Sequence, residues 1–257
     1  MTPNERNELI EVWKREEQQP FSGWDFSHLD GRMIEGQAPW SYSSRAAKLM
    51  RQSSAVIDLG TGGGERFLNL RDYWPQKIVV TEAYPPNFEL ATKRLAPFGV
   101  QVLDVPLDED GLMPFADGEF DLVLNRHSSF NVREVARILS SDGIFLTQQI
   151  HGLWAHDLLA AFDTKPQWPQ ATPGKYVPQL KAMGLMITNL QEWSGWLSFT
   201  DVGAIVYYLK AVPWLVPGFS VETHSKQLLT LQRRLESGDG LAFVARKYMI
   251  EAQKSLF

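Results

Sequence analysis

Ala55-Val-Ile-Asp-Leu-Gly-Thr-Gly-Gly-Gly-Glu65 is the stretch whose reading decides the fold. Its opening apolar run, rich in β-branched residues, suits a buried parallel strand that stops at Asp58. Four glycines then fall within five positions before Glu65-Arg-Phe-Leu-Asn-Leu70 continues with helical character. Strand, tight glycine turn and helix succeed one another in that order. Glycine is required where the backbone turns with positive φ, or where a ligand lies directly against the main chain, so the turn suits a nucleotide.

Outward from this stretch, strand and helix patterns alternate. Residues 43–52 read as a short helix feeding the first strand, and a helix over 65–72 leads to a strand at 77–82. A helix at 86–95 with proline near its start, a strand at 100–104, a loop at 105–118 and a strand at 120–125 come next. A helix at 132–139 and a strand at 143–150 complete the regular part. Such alternation predicts right-handed crossovers and an α/β, doubly wound, mostly parallel sheet with helices on both faces. Seven strands are expected in all. Helix 175–183 and strands 185–193 and 240–248 bring in the last of them, with an antiparallel edge strand near the C-terminus.

The remainder is less regular. Residues 4–19 pattern as an amphipathic helix, followed by an aromatic, Gly- and Pro-broken segment through Tyr42 in which Trp24, Phe26, Trp40 and Tyr42 offer stacking surfaces or packing anchors. An apolar helix at 201–212, a corner at 213–218 and a polar helix at 222–235 form an insertion between the last two strands. We therefore expect a single domain over 1–257. It comprises an N-terminal helix and aromatic loop at 1–42, a core at 43–198 and 239–257, and a helical cap at 199–238.

Composition narrows the class of function. The chain has 257 residues, no cysteine and a net charge of −5. Disulfides, thiolate metal sites and a cysteine nucleophile are excluded, and no metal is assigned. The acidic balance disfavours nucleic acid as partner, although Arg233-Arg234 and Arg246-Lys247 form local basic pairs. No apolar run approaches the roughly 20 residues of a membrane span, and no secretory signal opens the chain, so a cytoplasmic location is expected.

Spacing then separates the nucleotide chemistries. A dinucleotide fingerprint, G-x-G-x-x-G, fails in both registers, because its third glycine falls on Glu65 or on Phe67. No Gly-Lys-Ser/Thr comes after the turn, so it is not a phosphate-binding P-loop. Asp58-Leu-Gly-Thr-Gly-Gly-Gly64 instead closely resembles motif I of class I, Rossmann-like S-adenosylmethionine-dependent methyltransferases. The resemblance extends over residues 50–150. Leu112-Met-Pro-Phe-Ala-Asp-Gly-Glu-Phe-Asp-Leu-Val-Leu-Asn125 is similar to the family's segment leading into its fourth strand, and Glu134-Val-Ala-Arg-Ile-Leu-Ser-Ser-Asp-Gly-Ile-Phe145 to its post-motif.

The resemblance implies S-adenosyl-L-methionine as cofactor. It places Asp58, Gly60, Thr61, Gly62 and Gly64 around the methionine part, Glu82 with Ala83 at the ribose hydroxyls, and Asp104 with Val105 at the adenine. Asn125 is a further cofactor candidate. The run Asn125-Arg-His-Ser-Ser129 departs from the family's common sequence and leaves the substrate open. The implied reaction is in-line methyl transfer to an O, N or C acceptor on a small molecule, by a monomer or homodimer. An RNA methyltransferase and a non-catalytic cofactor-binding or partner-binding module are the alternatives. A general base is optional in such a reaction; His127 and His151, each just past a strand, are the candidate bases or substrate contacts.

Overall fold

The structure is a computed structural model, and residues 2–106 and 111–255 are described. The loop expected at 105–118 therefore lies partly outside the described residues. The chain divides into two compact units. One comprises Met1–Ala38, Gly152–Pro169 and Ser194–Arg246; the other comprises Pro39–His151, Gln170–Trp193 and Lys247–Phe257.

The second unit is the α/β layer structure. Its elements are α2 (Tyr42–Met50), β2 (Ala55–Leu59), α3 (Glu65–Leu68), β3 (Lys77–Thr81), α4 (Pro85–Leu95), β4 (Gln101–Leu103), β5 (Phe120–Arg126), α5 (Val132–Ile138), β6 (Leu139–Ile150) and α7 (Pro173–Ala182). To these it adds the N-terminal part of β7 (Leu185–Phe199) and the C-terminal part of β8 (Leu241–Lys254). β2 pairs in parallel with β3 and β5, β3 with β4, and β5 with β6. Hydrogen-bonded order is β7-β8-β6-β5-β2-β3-β4.

Alternation along each strand splits the core in two. Ile57, Leu59 and Val123 join Val135, Ile138 and Leu180 from α5 and α7. Val56, Val80, Leu122 and Leu124 join Ala46, Leu49, Phe67, Ala91 and Leu95 from α2, α3 and α4. Helices thus cover both faces of the sheet. Arg45 of α2 fixes that helix to β8 by donating from Nε and Nη2 to the buried Glu251, at 2.5 and 2.6 Å.

In the first unit α1 (Pro3–Glu17) and β1 (Met33–Glu35) accompany α6 (His156–Ala161), α8 (Val202–Ala211) and α9 (Ser225–Glu236). α8 is buried along nearly its whole length. Asp201 caps it, accepting from Ala204 N–H at 2.8 Å, and is clamped by Arg32 Nη2 at 2.7 Å. Arg32 also meets Glu16 of α1, so one guanidinium ties two helices together. Among the described residues no helix is long and apolar enough to cross a membrane.

The sheet differs from the expected seven strands in two respects. β1, in the segment read as irregular, pairs antiparallel with the end of β7 as an eighth, edge strand. The C-terminal strand β8 does run antiparallel to β6, but it lies between β6 and β7 rather than at an edge. The physical reason is visible in its burial: Tyr248, Met249, Ile250, Glu251 and Ala252 are all buried, as in a strand covered on both faces. The helix expected at 65–72 stops at Leu68 and continues as a single tight turn, Arg71–Tyr73.

Candidate functional site

Strand register sets the site. Leu103, Thr81, Leu59, Asn125 and Thr147 are paired neighbours across β4, β3, β2, β5 and β6. The residues just after them, Asp104, Glu82, Gly60, Arg126 and Gln148, therefore crowd one C-terminal edge. Strand order reverses there between β2 and β5, which is where open α/β sheets bind ligands.

The glycine turn is sewn to the end of β3. Gly60 N–H donates to Thr81 Oγ1 at 3.2 Å, and Thr61 N–H donates to the Thr81 carbonyl at 2.9 Å. Gly60, Gly62 and Gly64 have φ of 70°, 64° and 80°, a region that side chains with Cβ rarely adopt. A Cβ on Gly64 would also lie 3.1 Å from Leu95 Cδ1 and 3.5 Å from Ala91 Cα, so α4 packs directly on the turn. On the same stripe of α4, one turn earlier, Asn87 is buried, and among the described residues its Oδ1 has no hydrogen-bond partner.

Glu82 is held by backbone. Gly62 N–H donates to Oε2 at 2.7 Å and Tyr84 N–H to Oε1 at 2.9 Å, while 8% of the residue stays exposed. Each carboxylate oxygen has spent one lone pair and keeps another, aimed as the two N–H groups dictate. Ala83 is half-buried beside it, Val105 is buried, and Asp104 is exposed at the end of β4.

Asp58 keeps part of its surface, yet the surrounding protein strips enough hydration to raise its carboxyl to about 6. Thr61 and Arg126 oppose that rise and Glu82 adds to it. Tyr42, absent from the expected cofactor set, lies near Asp58. Burial and then the Asp58 charge push its hydroxyl well above the ordinary phenol range.

Asn125 behaves differently from the expected cofactor contact. Its Nδ2 donates to the Leu59 carbonyl at 3.1 Å and to the Ser129 carbonyl at 3.3 Å. Its Oδ1 accepts from Thr147 Oγ1 at 2.9 Å and Gln149 Nε2 at 2.5 Å. Two donors and two acceptor positions are all used, so this buried amide is a strut joining β2, β5 and β6.

His127 comes directly after β5 with a left-handed φ of 55°. Its ring is exposed, and its Nε2 lies 3.0 Å from Gln148 Nε2. Crowding by protein, then repulsion from Arg126, Lys247 and Arg66, hold the imidazole well below its ordinary value. Exposure blunts the crowding effect, but three cations act in the same direction. His151 is half-buried beside Tyr248, with ring centroids 6.3 Å apart.

The family-like segments that flank β5 are joined by an ion pair. Glu134, 1% exposed, accepts from Met113 N–H at 2.7 Å and from both Nε and Nη2 of Arg137. Arg137 in turn donates to the carbonyls of Met113 and Phe115. The pair thereby staples the segment entering β5 onto α5. Among the described residues no cluster of His, Asp and Glu could hold a metal ion.

Residues 57–147, which run from β2 to β6, match the family described as "Methyltransferase domain". That segment of the chain is thus a methyltransferase domain. An uncharacterized methyltransferase, YcgJ of Bacillus subtilis, is 30% identical over 103 residues, covering 37% of this chain and 40% of that protein. The matched part therefore spans under half of the relative's length. The crystal structure of YcgJ superimposes with a TM-score of 0.60 at 20% identity, covering 84% of this chain and 99% of that one. A functionally unknown protein from Deinococcus radiodurans R1 gives 0.57 at 13% identity, over 98% of this chain and 100% of that one. A putative methyltransferase from Bacillus halodurans C-125 gives 0.54 at 17% identity, over 83% and 100%. These structural likenesses establish the fold.

The methyltransferase-domain match implies a ligand against which this edge of the sheet can be tested. S-adenosylmethionine needs close passage of its chain along backbone, paired acceptors for ribose hydroxyls, and polar groups for its charged end. The positive-φ glycines, the backbone-held Glu82 and the unpartnered Asn87 Oδ1 fit those needs.

Proposed function

We propose that this chain transfers a methyl group from S-adenosyl-L-methionine to an O, N or C acceptor on a small molecule. The observation that carries the reading is Glu82: a carboxylate at the end of β3, anchored by Gly62 and Tyr84 N–H so that one lone pair per oxygen remains for a vicinal diol. Gly60, Thr61, Gly62 and Gly64 would lie along the methionine part, Asp58 near its ammonium, and Asp104 with Val105 at the adenine. Asn87 is added to that set. Asn125 is withdrawn from it and acts by fixing the edge on which the others stand.

When bound, the cofactor supplies a sulfonium-activated methyl group, so the protein has little covalent chemistry of its own to perform. Its residues bind, orient and desolvate the reactants. A net charge of −5, with Arg234 occupied against the Phe243 ring and the Ala242 carbonyl, supports a small molecule rather than RNA as acceptor. Calorimetry with S-adenosylmethionine and S-adenosylhomocysteine tests the reading. Binding of both is expected, and binding of neither overturns it.

A further inference from the structure

By sequence His127 reads as a base, but its surroundings assign it the opposite role. Trp40 Nε1 lies 2.8 Å from Gln148 Oε1. An indole nitrogen only donates, so the Gln148 atom facing it must be the carbonyl oxygen, which turns the amide NH2 toward His127. That NH2 lies 3.0 Å from His127 Nε2 and can only donate to it. Nε2 is therefore an acceptor without a proton, and the neutral ring carries its proton on Nδ1. Protonating Nε2 would set two donors face to face.

Three further observations agree. His127 N–H donates to the Gln148 carbonyl at 2.9 Å, so the same residue grips both main chain and ring. The backbone of His127 sits in the left-handed region, a conformation that persists only where surroundings enforce it. The charged groups facing it are Arg126 on β5, Lys247 on β8 and Arg66 on α3, all positive. Their field opposes an imidazolium and favours an electron-rich oxygen beside Nδ1–H. Among the described residues no protein group is hydrogen-bonded to Nδ1, and the ring is exposed.

We propose that His127 meets the methyl acceptor as a neutral hydrogen-bond donor through Nδ1–H, directed at a carboxylate or phenolate oxygen, with Gln148 and Trp40 as its positioning residues. This rests on the proposed methyl transfer for the word acceptor, but the state of the ring does not. An acceptor needing proton removal would have to lose that proton elsewhere, and substrates already anionic are selected.

Long-range proton–nitrogen NMR of the 15N-labelled protein, with His127 assigned by its loss in His127→Asn, reads the tautomer directly. Protonated Nδ1, unprotonated Nε2 and no titration between pH 5.5 and 8 are expected. An Nε2–H ring, or ordinary titration in that range, overturns the proposal. Gln148→Glu replaces the donor by an acceptor and should move the proton to Nε2 and bring titration into the neutral range; an unchanged ring would show that Gln148 does not set it. Millimolar benzoate added to the protein loaded with S-adenosylhomocysteine should shift the Nδ1–H resonance, and benzylamine should not. No response to benzoate, or an equal response to both, refutes the donor role toward an anionic group. Failure of S-adenosylhomocysteine to bind would instead count against the methyltransferase reading and leave the tautomer result standing.

Discussion

Replacing Glu82 separates a ribose-binding carboxylate from a merely structural one. Two charge-assisted hydrogen bonds to a diol, each contributing about 1.5 to 3 kcal/mol, are lost in Glu82→Ala. At about 1.4 kcal/mol per factor of ten, the dissociation constant for S-adenosylhomocysteine should rise by about 10² to 10⁴. Glu82→Gln is the sharper probe, because shape is kept. Both carboxylate oxygens accept backbone N–H groups, at 2.7 and 2.9 Å, so whichever oxygen becomes NH2 faces a donor. One diol bond is lost and one backbone N–H is left unsatisfied, predicting about 10- to 100-fold weaker binding plus about 1 to 3 kcal/mol of lost stability. Isothermal calorimetry gives the first quantity and urea denaturation the second. A folded Glu82→Ala protein that binds S-adenosylhomocysteine within about threefold of the parent would refute the assignment on this scale.

Three further outcomes are expected from the same geometry. Gly64→Ala puts a Cβ at φ 80° and 3.1 Å from Leu95 Cδ1, so it should destabilise the fold by about 1 to 3 kcal/mol; a urea midpoint matching the parent's would contradict the close α4 packing. Glu134→Ala removes the acceptor shared by Met113 N–H and Arg137, and a loss of about 2 to 4 kcal/mol is expected, reduced from a fully buried pair because Arg137 is 26% exposed. Thermal melting without a clear drop would show that the staple is dispensable. Asp58→Asn should stabilise the unliganded protein at pH 7.5 by about 1 to 2 kcal/mol while weakening cofactor binding. The sign comes from a folded-state carboxyl near 6, above its ordinary value of 3.8: the parent is favoured below the unfolded value, and that advantage disappears as pH rises through about 6. Denaturation at pH 4.5 and 7.5 checks it, and an Asn variant less stable at the higher pH would refute it.

The legible signals in the sequence are local. A β-branched run stopping at an acid marks a strand end, and Asp58, Glu82 and Asp104 stand out that way without any knowledge of pairing. The Glu134 and Arg137 spacing is equally visible as a pattern, although its work as a staple depends on a segment about twenty residues earlier. Asn125 reads in the sequence as a cofactor contact; its partner at Leu59 lies 66 residues away, and only pairing of β2 with β5 shows where its amide bonds. Trp40 and Gln148, 108 residues apart, carry no joint signal at all. β1, three residues long, is too short for periodicity to register. Gly195 interrupts the apolar pattern, so the strand expected to end at 193 continues to Phe199.

The two carboxylates nearest the glycine turn are supported unequally, and the inequality bears on what binds there. Glu82 receives two backbone N–H donors from the protein alone. Asp58 receives less: desolvation raises its carboxyl to about 6, Glu82 adds repulsion, and Thr61, Arg126 and Arg66 only partly compensate. An edge shaped merely to fold would place a neutral residue at Asp58. Keeping an acid there costs stability near neutral pH, and that cost is relieved by a ligand presenting positive charge beside it. A ligand with a cationic end and a vicinal diol answers both acids at once, whereas a plain nucleotide answers only Glu82 and brings phosphate toward Asp58. The charge pattern of the edge thus favours an adenosyl sulfonium over a nucleotide on grounds independent of the glycine spacing. Binding of S-adenosylhomocysteine should weaken as pH falls through about 6, because protonated Asp58 no longer attracts the ammonium.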